Sequence, residues 1–80
     1  MRVSLRHGKK YRATLKLHGF EDFAPDSAVK GKLEEAGFIH VTVEGFPSPD
    51  RTAVGIWNKG DITVETQDIS SDFQSVVMVA

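Results

Sequence analysis

Polar and apolar residues alternate along Arg2-Val3-Ser4-Leu5-Arg6 and again along Tyr11-Arg12-Ala13-Thr14-Leu15-Lys16-Leu17, the period of half-buried β-strands. His7-Gly8-Lys9-Lys10 between them has turn composition, so the two runs predict a β-hairpin. Successive strand side chains point to opposite faces, which puts Tyr11, Ala13, Leu15 and Leu17 on one side and Arg12, Thr14 and Lys16 on the other. After a connector over residues 18–23, Pro25 suits the first turn of a helix beginning near Ala24–Asp26, where Asp26 or Ser27 can answer free amide groups. Val29, Leu33 and Ala36 then fall on one helical stripe, Lys30, Glu34 and Glu35 point away, and Gly37 is placed to end the helix. Gly31, opposite the stripe, costs about 1 kcal/mol relative to Ala.

Ile39, Val41 and Val43 alternate with His40, Thr42 and Glu44, giving a strand directly after the helix. The connection over residues 18–37 is long enough for a parallel crossover, so strands 11–17 and 38–44 are expected to run parallel, as neighbours or with another strand between them. Gly45-Phe46-Pro47-Ser48-Pro49-Asp50 reads as a loop, because its prolines remove ladder donors. Strands over 52–57 and 61–66 follow, joined as a hairpin through Asn58-Lys59-Gly60, and Phe73–Ala80 forms a last strand after a polar connector, 67–72, long enough for one helical turn. The expected class is α+β: a mixed, mostly antiparallel sheet of about five strands with one amphipathic helix on one face, in the order hairpin, helix, strand, hairpin, terminal strand. This resembles part of a ferredoxin-like arrangement, its first half. Residues 67–72 are too few for the second helix, and the cysteine pair of the metal-carrying branch is missing.

The last strand breaks the alternation. Val77 and Val79 fall on one side and Val76 and Met78 on the other, so both sides are apolar, while one short helix covers part of one sheet face. In strand 52–57, Val54 and Ile56 are assigned to the core, which places Ala53, Gly55 and Trp57 opposite. Trp57, Gly55, Val76 and Met78 are therefore the candidate protein interface, Trp being enriched in interface hot spots and Gly leaving backbone open to close approach. The alternative for Trp57 is that it folds over the hairpin end and caps its own core.

Eighty residues, 40% hydrophobic and 26% charged, make a single small folded domain, 1–80. With no cysteine, a disulfide or thiolate site is excluded. Charge is unevenly placed: residues 1–18 hold six cations and no acid, and the rest hold four cations against all eleven acids, so +6 and −7 recover the net −1. The basic segment either meets an external polyanion or lies beside acidic strands of its own domain, and the near-neutral pI of 6.3 favours the internal reading. The external reading makes Arg2, Arg6, Lys10, Arg12 and Lys16 a nucleic-acid-binding stripe, but Tyr11 shares the parity of buried residues and offers no stacking platform.

Chemistry-bearing residues do not assemble by spacing. His7, His18 and His40 are dispersed, and His18 with Glu21 and Asp22 sits in a loop without the convergence a metal site requires. Glu34 and Glu35 diverge by about 100° on a helix, Ser70-Ser71-Asp72 has no adjacent base, and the seven glycines form no phosphate-binding fingerprint. No catalytic residue, metal, cofactor or small-molecule substrate is predicted. No run approaches a membrane span, and the basic start leads into alternating polarity rather than a signal-peptide core, so a soluble cytoplasmic protein is expected. The resulting expectation is a non-catalytic protein-interaction or assembly module, self-associating or bound to another protein, that uses an apolar sheet face or the terminal strand. Nucleic-acid binding by the basic hairpin is the alternative.

Overall fold

A computed structural model describes residues 1–19 and 24–79. The connector residues Phe20–Phe23, including Glu21 and Asp22, and the terminal Ala80 lie outside the described residues. In chain order the elements are β1 (Arg2–Leu5), β2 (Lys10–Lys16), α1 (Asp26–Ala36), β3 (Phe38–Glu44), β4 (Asp50–Trp57), β5 (Ile62–Glu65), the single turn α2 (Thr66–Ile69) and β6 (Phe73–Met78). The α+β class is as expected, but the strands divide into two sheets. A four-stranded sheet has the order β3-β4-β2-β6, and β1 pairs with β5 in a separate ribbon.

Every pairing is antiparallel. β2 and β3 do run parallel to each other, with β4 inserted between them, which is a split β-α-β unit. Neither expected hairpin forms, for one reason. A strand has two edges, and those of β2 are taken by β4 and β6, while those of β4 are taken by β2 and β3. Strands β1 and β5 are excluded from their chain neighbours and pair with each other in the register Arg2↔Glu65 to Leu5↔Ile62. Complementary polar pairs fit that register: Arg2 Nε lies 3.5 Å from Glu65, and the Ser4 and Thr63 hydroxyls are 3.1 Å apart.

One core forms between the inner face of the large sheet, α1 and the ribbon. Tyr11, Ala13, Leu15 and Leu17 are buried together as their parity requires, with Val29 and Leu33 of α1 and Leu5 of β1. The Tyr11 hydroxyl donates to Ser4 O (3.2 Å) and accepts from the Arg6 amide (2.7 Å), fixing the ribbon on this face. Gly37 ends α1 at φ 126°, its amide donating to Leu33 O and Glu34 O. At the other end no side chain among the described residues caps the helix. Asp26, expected to cap it, turns instead to the guanidinium of Arg51 at 3.1 Å. Buried Arg51 also donates to Ala24 O (2.6 Å) and Ser48 O and lies 5.4 Å from the Phe46 ring centroid. It thereby ties the helix start to the loop of the cis Phe46-Pro47 bond.

The parity of β4 is opposite to the sequence expectation. Arg51, Ala53, Gly55 and Trp57 face the core, and Val54 and Ile56 lie half-buried on the outer face. Both sides of β4 are apolar enough for either choice, and three-dimensional fit decides. A Cβ at Gly55 would stand 3.1 Å from Val41 and 3.3 Å from Phe38, so glycine is what lets β3 pack here. Trp57 meets Phe38 edge-on at 5.0 Å and donates its indole N–H to Gly60 O at 2.9 Å. In β3 a bulge resets the expected alternation. His40 adopts φ 53°, and residues 40 and 41 together oppose one residue of β4, so Phe38 and Val41 both point inward while Ile39 joins the outer face.

Candidate interaction surface

The outer face of the large sheet is the side turned away from α1. The register defines its rows: Val77, Arg12, Val54 and Thr42 lie side by side, as do Lys10, Ile56 and Ile39, with Ser75, Thr14, Thr52 and Glu44 below. Arg12 therefore stands between Val54 and Val77, two apolar neighbours. Lys10 faces Ile56 in the same way, whereas Lys16 lies opposite Asp50. Among the described residues Lys10, Arg12 and Lys16 have no ion pair. The acids of this face, Glu44 and Asp50, sit at the opposite end from Lys10 and Arg12. The half of the face next to β6 is thus apolar and positive.

Strand β6 forms the edge of this face, and beyond it no strand pairs among the described residues. Its sequence, FQSVVM, has no charged residue. Gln74 is bulged, since Thr14 opposes Ser75 and Leu15 opposes Phe73, which leaves a regular run from Ser75 to Met78. Val79 donates its amide to Lys10 O at 2.9 Å. The alternation of an antiparallel ladder then points the backbone groups of Ser75 and Val77 at β2 and those of Val76 and Met78 outward. Val77 is 44% exposed on the outer face and Met78 is 55% exposed on the inner side, so the free edge is apolar on both faces. The opposite edge, β3, is interrupted by the His40 bulge, a device that blunts pairing at exposed edges.

These positions sort the residues singled out from the sequence. Trp57, Gly55 and Val76 are buried in the core, away from the outer face of the sheet. Their placement outside followed from the inverted parity of β4; of the covers open to the apolar surface that α1 leaves, a neighbouring loop, the N-terminal hairpin or another chain, the β1–β5 ribbon is the one that packs on the core. Met78 remains exposed, and so does Val77, its neighbour on the other face and a residue outside the candidate set. The basic set divides as well. Arg2 pairs with Glu65, and Arg6 with Asp61 at 3.3 Å, so the ribbon neutralises its own cations. Asp61 also accepts the His7 amide at 2.8 Å. That hydrogen bond, followed by the one from Arg6, holds its carboxyl below the ordinary value of 3.8. Lys10, Arg12 and Lys16 remain as the open part of the stripe.

Two further features stand away from this surface. A cleft of about 390 Å³ lies between the end of α1 and the ribbon, with Ala36, Trp57, Ile62, Val64 and Ile69 in its walls. Of the two carboxylates in its walls, Asp61 and Asp68, Asp61 is already engaged by Arg6 and His7. At the start of β6, buried Asp72 lies 3.3 Å from His18 Nδ1 and 3.9 Å from Lys32 Nζ. No sequence spacing links His18 to a residue 54 positions away. The described residues hold no group of three or more His, Asp or Glu side chains that could bind a metal ion, and no helix among them is long and apolar enough to cross a membrane. The chain matches no protein-family model, no curated protein and no solved structure.

Proposed function

We propose that this protein is a non-catalytic protein-interaction module that docks partners along the free edge of β6. The observation that carries this reading is an uncharged edge strand with Val77 and Met78 exposed on opposite faces and the Val76 and Met78 amides directed outward. Such an edge is a template for strand addition, in which main-chain hydrogen bonds supply affinity and side chains on alternate positions supply selectivity. Natural edges left unprotected in this way invite pairing, whereas β3 carries a bulge. The test is photo-cross-linking in cells of the native source, with a benzophenone side chain replacing Met78 and, as control, Lys30 on the outward face of α1. A protein adduct at position 78 that is absent at position 30 supports docking at β6. Equal adducts at both positions, or none at 78, refute it.

Binding of a single-stranded nucleic acid is the second reading, favoured by the run of Lys10, Arg12 and Lys16 along one strand without ion pairs among the described residues. Three phosphate contacts give a slope of about −2 for log K against log salt on single strands. A titration with labelled oligonucleotides at two salt concentrations measures it, and a flat salt response removes this reading.

A further inference from the structure

Resting on the proposed docking at β6, we infer that the partner's segment is an extended strand with acidic residues at alternate positions, turned to the outer face over Lys10 and Arg12. A strand added at β6 lies about 4.8 Å beyond it and about 9.6 Å from β2. Between the new strand and β2 the outer face offers Ser75, Val77 and, beside Lys10, Val79, small side chains that carry no charge. Arg12 and Lys10 are long enough to lean across them, and neither has an ion partner among the described residues. Acidic side chains at alternate positions of the incoming strand meet those two cations from the far side of Val77. On the inner side its remaining residues meet Met78, so they are apolar. Acidic outward and apolar inward is therefore the complementary pattern.

A second copy of this chain does not supply it. Antiparallel pairing of two β6 strands would bring a neutral strand beside a neutral strand, with Lys10 and Arg12 of both copies on one continuous face and no acid between them. Like charges gathered across a joint sheet oppose that assembly.

The experiment measures fluorescence anisotropy of the full chain with three labelled eight-residue peptides. Each has Val at alternate positions, and the positions between them are Glu, Gln or Lys. The Glu peptide is expected to bind about tenfold more tightly than the Gln peptide at low salt, the size of two partly exposed ion pairs, with the difference shrinking at high salt. In Arg12→Glu, the Glu peptide should lose this advantage while the Gln peptide binds as before. Met78→Pro removes an outward amide without touching the ladder to β2, and it should abolish binding of both peptides with circular dichroism unchanged. Equal binding of the Glu and Gln peptides overturns the acidic partner and leaves docking at β6 standing. Binding of the Glu peptide that survives Met78→Pro overturns strand addition itself. A dimer in light scattering that Met78→Pro dissolves overturns the inference in favour of a second copy, and competition by an oligonucleotide that is insensitive to Met78→Pro does so in favour of nucleic acid.

Discussion

Replacing Arg51 by Met keeps an unbranched chain of similar length in the core and removes the guanidinium that at least three acceptors share, three of them among the described residues. Ser48 O, Ala24 O and the Asp26 carboxylate would each lose a donor, and the Arg51 side chain is 0% exposed, so water cannot reach its place without disturbing the packing. Breaking a buried ion pair from one side costs about 3–5 kcal/mol. Asp26 is 32% exposed, so its carboxylate recovers some hydration and the lower end, about 3 kcal/mol, is expected. A chain of this length has about 4–12 kcal/mol in all, so the loss is a large share and lowers Tm by about 12–24 °C. Urea unfolding followed by the emission of Trp57, the single buried tryptophan, measures it directly. The control is Asp26→Ala in the Arg51→Met background, which removes the stranded carboxylate and should add much less than Asp26→Ala does alone. A loss under about 1 kcal/mol, or strictly additive single and double variants, would show that Arg51 does not hold the helix start to the 45–50 loop.

Other outcomes are equally open to measurement. Gly31→Ala should stabilise the protein by about 0.5–1 kcal/mol, because a Cβ there meets nothing within 4 Å and Ala is the better helix former; a lower urea midpoint would contradict the open space around that position. Asp61 has a folded-state pKa depressed below 3.8 by the His7 amide and Arg6, so the stability it contributes is present above that value and is lost as pH falls through the lower folded value. The stability difference between wild type and Asp61→Asn should therefore be present at neutral pH and close in acid, and a difference that is constant with pH refutes the assignment.

How much of this was legible beforehand depends on the kind of signal. The elements were readable where period and punctuation agree: Val29 and Leu33 mark the buried stripe of α1, Gly37 its end, and Tyr11 to Leu17 the inward face of β2. Strand β3 was placed correctly, but its facing was not, because the backbone of His40 at φ 53° shifts the alternation by one residue and no side-chain pattern announces it. Along β4 the apolar residues occupy both parities, so periodicity has nothing to choose with. The interface set inherited that ambiguity, and of its four members only Met78 stays at the surface. Internal neutralisation of the basic segment holds for Arg2 and Arg6 and does not extend to Lys10 and Arg12.

The sequence by itself determined the inventory: strands of alternating polarity, one amphipathic helix with its stop, a basic start, no thiol chemistry, and a terminal strand apolar on both sides. These are local properties, set by side-chain direction and backbone preference within a few residues. Pairing was decided by tertiary structure alone. Each strand has two edges, and the long registers of β4 and β6 against β2 claim both edges of that strand, so β1 and β5 find each other across 60 residues of chain. That competition buries Trp57, pairs Arg6 with Asp61, and leaves β6 with one edge unclaimed among the described residues.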